Sequence, residues 1–410
     1  MYENKPERDA AVLIGLVGDE AELGELEELL KTAGGYVVGR ITQPRERAHP
    51  GHYVGKGKLE EVRDLCSLVN ATTIVCDDEL SAAQQRGLAE ALDVKVLDRT
   101  MVILDIFAAR ASTAEGKLQV ELAQLSYNLA HLTGLGKQLS RLGGGIGTRG
   151  PGEKKLETDR RHIRTRITEL EAALGNVRRH RATTRAQRKR NGVPVVSMVG
   201  YTNAGKSSLM NALCGEVVPA EDKLFATLDT TTRSLELSGG MRVVLTDTVG
   251  FIRKLPHGLV KAFRATLEEL SHADVLLHVV DSANPEVLEQ MQVVRATLGQ
   301  LGCTVPTIEV FNKADLLGGY HNADGVSISA KTGQGLQELR EAISNVLNEG
   351  HRRLGILVGY EDGQGLAMVH SMANEGAVRI LHKEEREGGT HMELLANEAA
   401  CAKLRTLGGV

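Results

Sequence analysis

A stretch that could bind a chain of phosphate groups runs from Val195 to Leu213 and reads VVSMVGYTNAGKSSLMNAL. It fits a strand, the pattern G-x-x-x-x-G-K-S and a helix. Gly200 and Gly205 would let the backbone wrap around phosphates, and amide groups at the start of the helix would point at the anion. Lys206 is spaced to reach the β and γ phosphates of a nucleotide, and the serine after it is spaced to bind Mg²⁺. The stretch therefore predicts a nucleotide site with Mg²⁺ as cofactor.

Three shorter motifs follow in the order expected of a guanine-nucleotide site. DTVGF follows a strand, so that Asp247 could hold Mg²⁺ through water and the Gly250 amide could meet the γ-phosphate. FNKAD ends a strand, and the Asp315 carboxylate could accept the N1 and N2 hydrogens of guanine, a donor pair that adenine lacks. SAK lies at the next strand end, where backbone amides could contact guanine O6. Together these motifs predict selectivity for GTP over ATP, and they resemble the translation-factor-related GTPases.

The segment LFATLDTTTR lies between the phosphate loop and DTVGF. A threonine in this position would complete the Mg²⁺ shell and sense the γ-phosphate. Spacing alone leaves four candidates open, and the other three would then belong to a polar mobile loop: Thr227, Thr230, Thr231 and Thr232.

Two positions bear on the rate of hydrolysis. Phe251 stands where many GTPases place a glutamine that orients the attacking water, and a phenyl ring cannot do this. We therefore expect slow intrinsic hydrolysis that a partner accelerates by ordering the switch loops. Asn203 stands where GTPases that use a monovalent cation place an asparagine, which raises the hypothesis that K⁺ supplies a positive charge.

Length and composition indicate a globular protein of several domains. The chain has 410 residues, 42% of them hydrophobic and 25% charged, which suggests about three folded units. It contains no run of about eighteen apolar residues, so no membrane span is expected. The start, MYENKPERDA, lacks an apolar signal core, and the five cysteines are scattered. These features predict a cytoplasmic protein with reduced thiols.

The charge is distributed unevenly. The formal net charge is −4, but residues 137–190 contain sixteen Lys and Arg against five Asp and Glu, a local balance of +11. One basic element attached to an acidic remainder suggests contact with a polyanion such as nucleic acid, and the alternative is a solvated helix face.

Hydrophobic patterning predicts an α/β fold with a helical insertion. Apolar strands alternate with helical stretches over the first hundred residues, as in a small α/β domain with a largely parallel sheet. From Pro194 to about Gly350 the strand–loop–helix pattern repeats, as expected of a P-loop GTPase domain with a mostly parallel sheet and helices on both faces. The last sixty residues indicate a small α+β domain that contains a β-α-β unit.

Heptad spacing predicts that the insertion is a coiled-coil hairpin. Leucines from Leu118 to Leu132 recur at steps of three and four, and apolar residues from Leu156 to Val177 recur at one step of seven followed by steps of three and four. Two such helices joined by a short loop should fold back on each other. The loop, RLGGGIGTRGPGEKK, would then form a glycine-rich tip. We expect domains at 1–112, 113–191, 192–350 and 351–410. The alternative for the hairpin is a coiled coil that mediates dimers.

The combination of hairpin and GTPase motifs resembles the HflX-type GTPases. The resemblance rests on DRTMVILDIFAARASTAEGKLQVELAQL, GGGIGTRGPGEKKLETDRR, GYTNAGKSSL, LFATLDTTTR and DTVGFIRKLPH; it is looser over the first hundred residues and weakest over the last sixty. It implies a GTPase that binds the rRNA of the large ribosomal subunit and splits or rescues stalled ribosomes under stress, with the tip reaching toward the peptidyl-transferase region. It also places the Mg²⁺-binding threonine in FATLD, at Thr227.

Motifs and resemblance together give the expected site. The catalytic residues are Lys206 and Gly250, and the metal ligands are Ser207 and Thr227. The nucleotide would contact Gly200, Tyr201, Thr202, Asn203, Ala204, Gly205, Lys206, Ser207, Ser208, Phe225, Ala226, Thr227, Leu228, Asp229, Asp247, Thr248, Val249, Gly250, Asn312, Lys313, Ala314, Asp315, Ser329, Ala330 and Lys331. RNA would contact Gly143, Gly144, Gly145, Arg149, Arg160, Arg161 and Arg164.

The sequence is also compatible with two other functions. The protein could be a GTP-switched factor that assembles large subunits without splitting ribosomes, or it could remodel RNA through an N-terminal domain that binds ATP. The sequence GHYVGKGKLEEV favours a basic turn before a helix over a second nucleotide site. His131, His162 and His180 lack metal-ligand spacing and are expected to be solvated or to face RNA, while Asp77 and Asp78 are expected at a strand end or helix cap. We expect a monomer.

Overall fold

The computed structural model describes residues 9–142, 151–190, 193–215, 224–228, 230–237, 241–254, 259, 262–263, 267–316, 325–349, 351–374 and 377–404. The chain divides into two compact units. The first consists of Met1–Gly175, Asp222–Asp229 and Lys254–Arg264, and the second of Asn176–Glu221, Thr230–Arg253 and Ala265–Val410. The four domain ranges expected from the sequence stay a prediction.

The first unit contains a parallel sheet with the strand order β2-β1-β3-β4. The strands are β1 Ala10–Gly15, β2 Tyr36–Thr42, β3 Thr73–Cys76 and β4 Lys95–Asp98. The helices are α1 Gly24–Thr32, α2 Lys56–Leu68, α3 Ala82–Leu92 and α4 Arg99–Arg110. All residues of β1 and β3 are buried, as expected of apolar strands covered on both faces. The predicted α/β alternation is confirmed. Lys56 and Lys58, which were expected in a basic turn before a helix, lie in the first turn of α2, after its N-cap Gly55.

Two long helices follow the sheet, α5 Ala114–Leu142 and α6 Pro151–Arg190. The seam between them is built around buried Leu122, Leu170 and Leu174, with three flanking apolar residues that are partly buried: Leu118, Leu125 and Ile167. The Arg166 guanidinium donates to both carboxylate oxygens of Glu121 across the seam, at 2.7 and 3.1 Å. The predicted hairpin is confirmed. Its tip, with Gly143, Gly144, Gly145 and Arg149, lies outside the described residues.

The second unit contains a sheet of six strands in the order β10-β9-β8-β5-β7-β6. The elements are β5 Val195–Gly200, α7 Lys206–Cys214, β6 Thr231–Glu236, β7 Arg242–Asp247, β8 Val275–Asp281, α8 Val287–Gln300, β9 Thr307–Asn312, β10 Val326–Ser327 and α9 Leu336–Asn348. Neighbouring strands are parallel except β6, which runs antiparallel to β7. This is the P-loop GTPase fold that the sequence predicts.

The edge strand β6 corrects one expectation. Thr231 and Thr232 lie in β6 and pair with Thr246 and Asp247 of β7, so they are not part of a polar loop. Threonine favours strands because its branched side chain suits a pleated, half-buried surface. The run of polar residues in LDTTTR had favoured a loop over a strand.

The same unit ends in a small antiparallel sheet with the order β11-β13-β12. Its elements are β11 His351–Gly359, α10 Gly363–Asn374, β12 Val378–Arg386, β13 Gly389–Asn397 and α11 Glu398–Leu404. The two helices cover an apolar cluster that includes Val369, Met392 and Leu404. The predicted small α+β domain is confirmed. Within the described part of the chain, we find no helix with both the length and the apolarity that a membrane span requires.

Candidate nucleotide-binding site

The phosphate loop joins β5 to α7 and has the tight backbone that its glycines predicted. Gly205 is the N-cap of α7 and adopts a left-handed conformation with φ of +90°. Asn203 is also left-handed, with φ of +61°, a conformation that asparagine tolerates better than most residues. The loop therefore carries its amide groups to the start of α7, where an anion is favoured by unpaired N–H groups and by the helix dipole.

Lys206 is buried inside this loop. Its ammonium group donates to the carbonyl oxygens of Gly200, at 3.1 Å, and Tyr201, at 2.9 Å. Burial lowers the pKa of Lys206 to about 8, although the negative charge of Asp247 opposes this shift. Burial therefore disfavours the charged form of Lys206, and a phosphate group bound beside it would raise its pKa again.

Two oxygen donors meet beside the lysine. The Ser207 hydroxyl donates to Oδ2 of Asp247 at 2.8 Å, which joins the start of α7 to the end of β7. The next residue, Thr248, donates its hydroxyl to the carbonyl oxygen of Met198 at 2.7 Å and is buried. A hydroxyl and a carboxylate side by side form the kind of hard oxygen donor set that Mg²⁺ prefers.

The chain after β7 returns across the phosphate loop. The Thr202 amide donates to the carbonyl oxygen of Phe251 at 2.7 Å, and the Phe251 amide donates to that of Gly200 at 3.1 Å. Gly250 is packed so closely that a Cβ atom there would lie 2.8 Å from Cα of Thr202 and 3.1 Å from Nζ of Lys206. Only glycine fits at this position.

Three family models match the chain between residues 20 and 313. The model described as GTP-binding GTPase N-terminal matches residues 20–108, and GTP-binding GTPase Middle Region matches residues 110–188. The model described as 50S ribosome-binding GTPase matches residues 195–313.

Relatives described as GTPase HflX match most of the chain. The protein of Lacrimispora saccharolytica is 52% identical over 95% of this chain and 94% of its own length. That of Caldanaerobacter subterraneus subsp. tengcongensis is 52% identical over 88% of this chain and 86% of its own. That of Escherichia coli is 42% identical over 85% of both chains. The chain belongs to the HflX GTPase family. It is a GTP hydrolase with a P-loop fold, as the motifs and the resemblance predicted.

One asparagine ties three parts of this HflX site together. The Asn312 side-chain amide donates to the carbonyl oxygen of Ala204 at 2.9 Å, and its Oδ1 accepts from the Ala330 amide at 3.0 Å. A Cβ atom on Gly205 would clash with Nδ2 of Asn312. The FNKAD motif therefore braces the phosphate loop and the SAK motif at once.

Asp315, which the sequence predicts to bind the base, is hydrogen-bonded to the SAK motif. The Ser329 hydroxyl donates to Oδ1 of Asp315 at 2.7 Å, and this hydrogen bond lowers the pKa of Asp315. The Lys313 ammonium donates to Oδ2 of Asp281 at 2.7 Å. Asp281 ends β8 and was not singled out from the sequence. The sequence signal that could have identified Asp281 is its place at the end of the apolar strand DVLLHVVD, which pairs with β9.

The side chain of Phe251 belongs to an apolar cluster. It is buried among apolar side chains of the second unit, including Val199, Leu267, Leu276 and Val294. Phe251, which we expected at the position of a water-orienting glutamine, is therefore part of the hydrophobic core.

The segment Leu224–Leu228 groups with the first unit. Phe225 is buried with φ of +54° and packs edge-on against Phe107 of α4, with ring centroids 4.8 Å apart. Thr227 lies between Phe225 and the buried Leu228, whereas Asp229 lies outside the described residues.

The arginines proposed to contact RNA differ in exposure. Arg161 and Arg164 on α6 are exposed, and Arg160 is half-buried near Glu157, at 3.8 Å. His131 corrects an expectation, because it is half-buried, stacks on Tyr127 and bonds through Nε2 with the carbonyl oxygen of Leu80 at 2.8 Å.

Proposed function

We propose that this HflX family member is a GTPase that binds the large ribosomal subunit and separates it from the small subunit, with GTP hydrolysis to GDP and phosphate permitting release. The observation that carries the proposal is a hairpin of two helices that buries Leu122, Leu170 and Leu174 at its seam and exposes arginines on α6. The hairpin belongs to the same chain as a GTP hydrolase site. The family model described as 50S ribosome-binding GTPase supports the choice of partner.

The nucleotide site is assigned by role. In this proposal, Lys206 contacts the β and γ phosphates, and the Gly250 amide meets the γ-phosphate. Asp315 binds the guanine N1 and N2 hydrogens, while SAK amides contact O6. The close packing of Gly250 against Lys206 and the bracing by Asn312 support these assignments.

The donor set fits Mg²⁺. Ser207 and Thr227 would hold the ion, and Asp247 would hold it through water; Ser207 and Asp247 already lie 2.8 Å apart. Mg²⁺ supplies neutralisation of the charge on the β and γ phosphates. K⁺ as a second cation near Asn203 is part of the proposal. Equal single-turnover hydrolysis in Na⁺ and K⁺ buffers with the partner bound would exclude it.

The proposed ribosomal contact is electrostatic and guided by shape. The basic region 137–190 contains no Phe, Tyr or Trp, so bases cannot stack on those rings there, and arginines would bind phosphates. We propose that the glycine-rich tip enters a narrow space in the RNA because it has few bulky side chains. The protein would act as a monomer in the cytoplasm.

Sucrose-gradient profiles of intact ribosomes test the proposal. Protein with GTP should convert ribosomes to subunits, and with a non-hydrolysable GTP analogue it should remain on the large subunit. Co-migration with precursor particles alone, with no conversion, would replace the proposal by the assembly-factor alternative. An ATPase activity that survives Lys206→Ala would point to RNA remodelling by the N-terminal region.

Matched variants of α6 sharpen the gradient test. Arg161→Gln with Arg164→Gln removes two exposed charges and should weaken binding to the large subunit. Arg166→Gln with Arg179→Gln removes the same formal charge from arginines already engaged by Glu121 and Asn176, so we expect a smaller loss. A loss of equal size for both pairs would contradict a specific role for the exposed arginines.

A further inference from the structure

The sheet of the first unit has a reversal of strand order of the kind at which other α/β proteins bind ligands. In its strand order, β2-β1-β3-β4, the chain leaves β1 toward one edge and returns for β3 on the other side. Open parallel sheets bind ligands outside the carboxyl ends of the strands at such a reversal. Here the reversal lies between β1 and β3.

The carboxyl end of β3 presents two adjacent carboxylates, Asp77 and Asp78. Asp77 is buried and accepts from the Arg99 guanidinium at 2.6 Å. Asp78 accepts from the Tyr53 hydroxyl at 2.5 Å. Their remaining oxygens face a cation from a distant part of the sequence.

That cation is Lys254. Its Nζ lies 2.5 Å from Oδ2 of Asp77 and 2.7 Å from Oδ1 of Asp78. Burial alone would lower the pKa of Lys254, but its hydrogen bonds to the two carboxylates outweigh burial and raise it. Lys254 has a left-handed backbone with φ of +52°, an uncommon conformation for a residue with a side chain. The two carboxylates at the end of β3 therefore bind a side chain of the protein itself, that of Lys254.

Lys254 is four residues beyond Gly250 in the sequence. A second contact holds the chain that follows it, because Phe263 packs against Phe107 of α4 with ring centroids 5.1 Å apart. Phe107 also contacts Phe225, two residues before Thr227. Segments on the far side of DTVGF and inside LFATLDTTTR are therefore both bound by residues of the first unit.

We propose that Asp77 and Asp78 are a docking site for Lys254, and that this contact positions the Gly250 peptide for the γ-phosphate of GTP. Gly250 lies against Lys206, the residue that reaches for the same phosphate. Anchoring the chain four residues later restricts the excursions of Gly250 from that position. The contact therefore favours GTP over GDP, because GDP lacks the group that Gly250 meets. Lys254 is a positioning residue and does not touch the nucleotide.

Nucleotide affinities of the isolated protein test this proposal, which rests on GTP binding and not on the ribosome. Lys254→Gln and Asp78→Asn should each weaken binding of a non-hydrolysable GTP analogue about 3-fold to 30-fold, while GDP affinity changes less than about twofold. Single-turnover hydrolysis should slow in parallel. Both substitutions remove the same ion pair, between Lys254 and Asp78. The double variant should therefore bind the analogue no more weakly than the weaker-binding single variant.

Two control variants separate docking from general effects. Lys95→Gln breaks the ion pair with Asp9 in the same unit, at 2.8 Å. Tyr53→Phe removes the other partner of Asp78 and leaves Lys254 in place. Both should keep the ratio of analogue to GDP affinity, and thermal unfolding midpoints should show that all variants fold.

An unchanged ratio in both Lys254→Gln and Asp78→Asn would overturn the proposal, as would fully additive effects in the double variant. Neither result would bear on ribosome splitting, because no ribosome is present in the assay. The two proposals therefore fail separately.

Discussion

Asn312 hydrogen-bonds the carbonyl oxygen of Ala204 at 2.9 Å although the two residues are 108 positions apart in the chain. Its side-chain oxygen, Oδ1, accepts from the Ala330 amide, so a single side-chain amide holds the phosphate loop and the SAK motif in register. Hydrogen bonds between rigid strand ends preorganise a site before its ligand arrives. This arrangement brings together short motifs that are far apart in the sequence.

Loss of the Asn312 hydrogen bonds should weaken the binding of GDP and GTP to the same extent. Asn312→Ala removes both hydrogen bonds and leaves two backbone groups without that partner, so we expect GDP and GTP affinity to fall about 10-fold to 100-fold. Titration with a fluorescent nucleotide measures the change. Asn345→Ala, on the exposed face of α9, is the control. A selective loss of GTP alone would contradict the bracing role.

The base preference should follow Asp315. Asp315→Asn replaces an acceptor by a group that also donates, so GTP affinity should drop roughly 100-fold, and xanthosine triphosphate should bind in preference. Competition against a labelled nucleotide measures both affinities. Glu338→Gln removes an exposed carboxylate of the same unit and should change neither. Unchanged GTP affinity in Asp315→Asn would remove this residue from the base site.

These two predictions show how much of the site was visible in the sequence. The types and order of residues in GYTNAGKSS, DTVGF, FNKAD and SAK predicted which strand ends meet, because parallel strands bring their carboxyl ends to one edge. The hydroxyl–carboxylate pair of Ser207 and Asp247 follows from the same reasoning. Periodicity likewise predicted the hairpin seam of Leu122 and Leu170.

Contacts outside those motifs could not be predicted in this way. Nothing local to Asp281 indicates that it binds Lys313, because the pairing depends on the register of β8 with β9. Lys254 and Asp77 are 177 positions apart, and although Asp77 was expected at a strand end, its sequence surroundings do not indicate a partner. His131 was expected in solvent because a helical histidine gives no sign of a carbonyl group from another loop.

Nucleotide affinity should fall as the pH rises above 8. Burial lowers the pKa of Lys206 to about 8, whereas a lysine bound to phosphate must be charged and has a higher pKa. Above pH 8 the free protein must therefore take up a proton to bind nucleotide, and affinity should fall about tenfold between pH 7 and 9. Calorimetric titration with GDP over that range measures it. Constant affinity would contradict the lowered pKa of Lys206.

Restoring a glutamine after Gly250 should not accelerate hydrolysis. In Phe251→Gln the new amide would enter an apolar cluster, so we expect a loss of about 3 kcal/mol in the free energy of unfolding and no increase in single-turnover rate. Phe251→Leu should retain most of the stability and the wild-type rate. Denaturant unfolding and rapid-quench hydrolysis give both quantities. A faster rate in Phe251→Gln would mean that this side chain can reach the attacking water.

The central claim is that the large ribosomal subunit is the partner that activates this GTPase. GTP turnover measured during titration with purified large subunits tests it most directly. We predict that turnover rises well above that of the isolated protein and saturates, and that Arg161→Gln with Arg164→Gln shifts the half-saturation point to higher subunit concentration. A rate that stays at the intrinsic value across the whole titration would contradict the account.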